Sequence, residues 1–153
     1  MCLKMLSKFF TGTIERHSPS DIVPKAHISF NSTTTKLEVN LNGIGIPFTR
    51  PPKVWIPTIP DTNSMDPILD TEHNNILIAG ADEDNQKILL DFLKVGDIAV
   101  YKVPQMHAVH RIIKIETDAV GRRFTFKGDN NPTADPYVVR DENIEWVSIG
   151  TIY

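Results

Sequence analysis

The chain has a single cysteine, Cys2, among its 153 residues. A lone thiol closes no internal bridge and has no second thiol with which to hold a metal, so a disulfide framework and a cysteine-built zinc cluster are both excluded. A reducing cytoplasm suits such a chain. Basic charge is also scarce: 16 Lys and Arg against 19 Asp and Glu leave a formal net charge of -3, whereas neutralising a phosphate backbone requires a basic excess. Nucleic acid is therefore not the expected partner. No apolar run approaches the roughly 18 residues that a membrane-spanning helix needs, and "NILIAGA" comes nearest. The opening "MCLKMLSKFF" mixes basic and apolar residues, but Lys4, Ser7 and Lys8 interrupt it and polar "TGTIERHS" follows, too broken a pattern for a secretory signal. The chain reads as soluble and cytoplasmic, with a virion or a membrane-peripheral location left open.

Turn formers are what the sequence has in quantity. Eleven prolines and eight glycines, with few stretches of helical period, point away from a helical bundle and toward short strands joined by turns. "HISF", "KLEVNL", "VWIPTI", "DIAVYKV", "VHRIIKI", "RFTFKG" and "WVSIGTIY" alternate or are rich in β-branched residues, so the expected fold is mainly β. The exception is "EDNQKILLDFLKVGD", where Ile88, Leu89, Phe92 and Leu93 share a face at helical spacing. It predicts a short helix in an inserted loop, capped by Asp82 or Asp84 and closed near Gly96. The length suits one domain. Residues 1–53 read as an N-terminal β arm or layer ending in a linker, with a hairpin turn at "NSTTTK" and an extended exit at "FTRPPK", and residues 54–153 as the main domain. Val54, Trp55 and Ile56 are expected to form a buried strand rather than an apolar rim or a partner contact.

"DTNSMDPILD", Asp61 to Asp70, places a serine in a polar turn. By itself that is an ordinary turn residue. Downstream, however, lie a histidine in the strand-like "AVHRIIKI" and acidic residues in "FKGDNNPTAD". A serine hydroxyl is a poor nucleophile until a base takes its proton, and a histidine does so best when a carboxylate fixes its tautomer. Ser64, His110 and either Asp129 or Asp135 supply that set.

The order of the flanking words resembles the signal peptidase family, in particular its archaeal and endoplasmic-reticulum-type branch, which uses serine, histidine and aspartate. "SMDPIL" (Ser64 to Leu69) is similar to the nucleophile box and "VGDIAVYK" (Val95 to Lys102) to the strand that follows it. "VHRII" (Val109 to Ile113) is similar to the base box and "KGDNNPTAD" (Lys127 to Asp135) to the acid box. The resemblance covers Thr62 to Tyr153 and implies an antiparallel β peptidase fold without cofactor or metal. It makes Ser64 the nucleophile and His110 the general base. Asp129 and Asp135 both match acidic positions; Asp129 is the expected orienting group, and Asp135 a second acid or a brace for the loop. The backbone N–H of Ser64 and the hydroxyl of Thr62 are the expected oxyanion donors. A lysine stands where His110 does in the bacterial branch and in self-cleaving repressors of related fold, so a serine-lysine dyad would need Lys102 or Lys127 instead. Met65 is expected to pack beside the nucleophile, Pro67 to shape the turn, Ile68 and Leu69 to return the chain to the core, and His73 and His107 to lie at the surface or in loops. Substrate binding is expected by strand addition at "DIAVYKV" or at the segment before Ser64, and the resemblance implies small residues before the scissile bond.

Members of the family carry a membrane anchor just before the serine box. Here "PPKVWIPTIPDTN" stands in that place and does not span. Self-cleavage at Ala79-Gly80 is disfavoured, because that bond follows the serine and the N-terminal part has no helix-turn-helix pattern. The alternative to a serine endopeptidase acting on a polypeptide is a catalytically idle fold of the same type, reused as an assembly or interaction module and possibly as a viral structural protein.

Overall fold

The computed structural model describes residues 27–41, 45–71, 73–104 and 106–152; the expectations for Cys2 and the N-terminal stretch lie outside them. The fold is mainly antiparallel β with one short helix. The hairpin predicted at "NSTTTK" is β1 (His27–Asn31) and β2 (Lys36–Asn40), which form a two-stranded sheet. Asn31 Oδ1 accepts the N–H groups of Thr33 and Thr34 and so closes the turn.

The main sheet has six strands. They are β3 (Lys53–Trp55), β4 (Asn74–Ala79), β5 (Ile98–Val103), β6 (Met106–Asp118), β7 (Gly121–Lys127) and β8 (Ile144–Ile152), in the order β3-β4-β8-β5-β6-β7. Every pairing is antiparallel. The helix α1 (Glu83–Asp91) connects β4 to β5, and Asp82 is its cap, accepting the Asn85 N–H at 3.0 Å. Its buried face is Asn85, Leu89 and Leu90, continued by Leu93, while Phe92 is left 37% exposed. The chain leaves the helix at Phe92, so the last turn of the expected periodicity is not helical. Gly96, at φ 106 in the left-handed region that glycine tolerates, then turns the chain into β5.

The core lies against this sheet. Tyr101, Ile112, Phe124, Phe126, Val139 and Val147 are fully or almost fully buried together with Leu89 from α1. Each such apolar side chain contributes about 1.5–3 kcal/mol relative to exposure. Ile46 joins the same cluster, and the N–H groups of Thr49 and Arg50 bond to Asn85 Oδ1. Residues 46–50, at the end of the expected N-terminal arm or layer and its linker, thus contact the main core. A second cluster of Ile59, Met65, Leu69 and Ile98, with Val109 packed against it, sits beneath the turn that carries Ser64. Met65 and Leu69 are buried as expected; Ile68 stays 37% exposed.

Two sequence expectations are overturned here. Val54, Trp55 and Ile56 are 47, 49 and 52% exposed, because β3 is the edge strand and only β4 pairs with it. Trp55 meets Trp146 of β8 at a ring separation of 5.6 Å. "DIAVYKV" is not an edge, since β5 is hydrogen-bonded to β6 on one side and to β8 on the other. Its length of apolar residues reflects burial at the centre of the sheet. The unpaired edge near the histidine belongs to β6: β7 begins its pairing at Arg111, opposite Lys127, so among the described strands Met106–Val109 has a partner only in β5. Among the described residues no helix is long and apolar enough to cross a membrane.

Candidate active site

Three elements converge on Ser64. The first is the turn of residues 63–68, closed by Ile68 and Leu69 N–H bonds to the Met65 carbonyl at 2.9 and 3.1 Å. Asn63 enters it at φ 54, a left-handed conformation that asparagine adopts more readily than most residues. Buried Met65 anchors the turn from below, leaving Ser64 half-exposed above it. The second element is β6, which carries His110. The third is the loop from Gly128 to Asp135 after β7.

These elements form a continuous chain of hydrogen bonds. Ser64 Oγ lies 3.2 Å from His110 Nε2, and His110 Nδ1 lies 2.6 Å from Asp135 Oδ2. An ionised carboxylate only accepts, so Nδ1 carries the proton and the Nε2 lone pair faces the serine hydroxyl. The His110 and Asp135 side chains are only 12 and 9% exposed, so their charge interaction is poorly screened. Thr62 Oγ1 is 3.0 Å from Ser64 Oγ. With the serine proton directed at His110, the threonine hydroxyl donates to the serine oxygen and is adjacent to the site where negative charge would develop.

The two acidic candidates have separate partners. Asp129, expected to orient the imidazole, instead forms a bidentate pair with Arg111: Nε reaches Oδ1 at 2.7 Å and Nη2 reaches Oδ2 at 2.6 Å. Arg111 also donates to the Gly96 carbonyl at 2.6 Å. Adjacent residues of a strand point to opposite faces, which explains the division: His110 faces Asp135 while Arg111 faces Asp129. Asp135 is the group on the histidine, and Asp129 is the brace, the reverse of the expected roles. Neither alternative lysine is at the serine. Lys102 is exposed on β5, paired in register with His107, and Lys127 Nζ donates to the Gly128 carbonyl at 3.1 Å. His107 is on the other face of β6 from His110 and pairs with Glu145 at 3.2 Å. His73 accepts the Asp70 N–H through Nδ1.

The acid loop also clamps the nucleophile turn. Asn130 N–H donates to the Ser64 carbonyl at 3.0 Å, and Asn130 Nδ2 to the Asn63 carbonyl at 2.9 Å. This close approach needs Gly128, because a Cβ there would stand 2.5 Å from the Ser64 carbonyl oxygen and 2.6 Å from Asn131 Nδ2. Gly128→Ala is expected to displace the turn while the sheet remains folded. Misplacing a reacting group by about 1 Å costs on the order of a hundredfold. A loss of that size in covalent labelling of Ser64 by a fluorophosphonate, with an unchanged circular dichroism spectrum, is the expected outcome; labelling at the wild-type rate would contradict the clamp.

Sequence reading missed two participants. Tyr101 donates to Asp135 Oδ2 at 2.7 Å, and Arg111 holds Asp129. The signal for Arg111 was its position beside the histidine in "VHRII". That for Tyr101 was its spacing in the β5–β6 hairpin: Ala99 is opposite His110 and Tyr101 is two residues farther along β5, which sets the tyrosine on the same face as the imidazole.

In comparisons with known proteins, the chain matches no family model, no curated protein and no solved structure.

Proposed function

We propose that this chain is a serine endopeptidase, working by a serine-histidine-aspartate acyl-enzyme mechanism on an extended polypeptide. The observation that carries this reading is the connected series Ser64 Oγ, His110 Nε2, His110 Nδ1 and Asp135 Oδ2 at 3.2 and 2.6 Å. Nucleophile, base and orienting acid come from three sequence-distant segments, and each is hydrogen-bonded to the next.

In this mechanism Ser64 Oγ forms a bond to the scissile carbonyl carbon as its proton passes to His110 Nε2. Asp135 stabilises the imidazolium and keeps the proton on Nδ1. Thr62 Oγ1 and the Ser64 N–H are the donors for the oxyanion. Collapse breaks the C–N bond, and His110 returns the proton to the departing amine. Water then bonds to the acyl carbon as it loses a proton to His110, the C–Oγ bond breaks to release the acid, and His110 returns the proton to Ser64 Oγ. The edge of Met106–Val109, which among the described strands pairs only with β5 and runs directly into His110, supports docking of the substrate by strand addition. The resemblance noted in the sequence supports small residues at the cleavage site.

The test is covalent labelling with a fluorophosphonate and a penem, read by intact mass. The wild type is expected to gain one adduct, on Ser64, and Ser64→Ala and His110→Ala none. A folded wild type that no probe labels would sink the reading. The second reading, an interaction module, is favoured by the exposed Val54, Trp55 and Ile56 on edge strand β3, and unlabelled protein would point to it.

A further inference from the structure

We propose that Tyr101 is a positioning residue of this site, acting through Asp135 to set the proton affinity of His110. The proposal rests on the peptidase reading for its catalytic meaning but not for its physical content. Asp135 Oδ2 accepts two hydrogen bonds at once, from Tyr101 Oη at 2.7 Å and from His110 Nδ1 at 2.6 Å. One oxygen thus links phenol and imidazole.

The tyrosine is held firmly enough to act on that oxygen. It is 0% exposed, sits on central strand β5, and packs its ring against Phe126 at 4.4 Å. Burial, and after it the hydrogen bond and negative charge of Asp135, push its phenol well above the usual tyrosine range. It therefore remains a donor wherever a histidine base operates. A buried tyrosine hydroxyl commonly finds some partner, and a merely structural phenol would have been satisfied by any carbonyl. This one ends on the carboxylate that holds the base.

The consequence has a definite sign. A second donor on Oδ2 spreads the negative charge that the imidazolium would otherwise have to itself, so it lowers the attraction of Asp135 for a protonated His110. Loss of that donor concentrates the charge on the His110 side and makes the histidine more basic. Other groups around the site are Ser64 and Thr62, which are uncharged, Asp66 on the nucleophile turn, and Tyr137 two residues past the acid loop. Arg111 and Asp129 neutralise each other on the far face of β6, the Lys127 ammonium is taken up by the Gly128 carbonyl, and Lys102 projects from the other face of β5.

Tyr101→Phe keeps the ring and its packing while deleting the hydroxyl. Hydrogen bonds to charged groups are among the stronger ones, so the His110 midpoint, followed by NMR of the imidazole and assigned with His110→Gln, is expected to rise by about half to one pH unit. The acid limb of the pH profile for fluorophosphonate labelling should move with it. Replacing the tyrosines by 3-fluorotyrosine, which makes the phenol a stronger donor without altering the fold, should shift the midpoint the opposite way. A His110 midpoint unmoved by both changes, with labelling that only scales in amplitude, would overturn the proposal. Wild-type protein that no probe labels overturns the peptidase reading alone; the NMR titration still decides the role of Tyr101, upholding it if the midpoint moves and refuting it if not.

Discussion

Asp135→Asn is expected to slow labelling of Ser64 by about ten-thousandfold, and Asp129→Asn by less than about tenfold. The contrast follows from the partners. An asparagine at position 135 has one oxygen acceptor and one NH2 donor. Tyr101 and His110 both donate to the one oxygen Oδ2, so an asparagine oxygen in that place still accepts from both but carries no negative charge to stabilise the imidazolium. In the flipped amide, where the NH2 takes that place, the Tyr101 bond is lost too, and the imidazole has to accept at Nδ1 and carry its proton on Nε2, where it no longer takes the serine proton. Replacing the orienting aspartate of a serine-histidine-aspartate site in this way costs on the order of 10⁴ in rate with the geometry intact. Asp129→Asn leaves the carboxylate on His110 untouched, because Asp129 touches Arg111 and not His110. Rates measured under saturating probe, well below each variant's melting temperature, decide the matter. Equal losses at the two positions would mean that the two acids share the role.

Arg111→Ala is expected to give a large stability loss among these substitutions, about 3 kcal/mol. The Arg111 and Asp129 side chains are only 22 and 11% exposed, so truncating the arginine leaves a largely buried carboxylate without its cation. It also strips the Gly96 carbonyl of its donor at the turn into β5. Buried pairs lose about 3–5 kcal/mol when one partner goes, and the partial exposure here favours the lower end. For a chain of this size that corresponds to a fall in Tm of roughly 6–12 °C. Removing both charges, in Arg111→Ala/Asp129→Ala, should recover part of the loss, since the double variant buries no unpaired charge. A double variant less stable than the sum of the singles would show that the pair is not the source. Calorimetry on all four proteins completes the cycle.

Tyr101 and Asp135 show where reading along the chain stops. The strands were legible because alternation and β-branched residues have a period that survives without tertiary information. The helix cap was legible as Asp82 or Asp84, since a cap acts on residues two or three positions away, and the structure uses Asp82. The buried face of α1 was less so: Leu90 replaced Phe92 in the core because the helix ends at Phe92. A wrong assignment also fell on β5 and β3. A central and an edge strand are written in similar apolar letters, and only pairing on one side or two separates them. Val54, Trp55 and Ile56 look like a core strand in composition and lie at the margin of the sheet.

The sequence alone determined the mainly β fold, the turn at Ser64, the choice of histidine over lysine beside it, and the pair of acids from which one partner had to come. The fold, the turn and the pair of acids depend on residue type and near-neighbour spacing, while the choice of histidine over lysine rested on the resemblance of the flanking words. Tertiary structure decided which acid meets the imidazole. Asp129 and Asp135 stand six residues apart in one loop, and nothing local distinguishes them. The alternation of β6, which sends His110 and Arg111 to opposite faces, delivers one acid to each. Register across β5 and β6 likewise brought Tyr101 to the same carboxylate, a contact made 34 residues apart in the chain and visible only once the strands are paired.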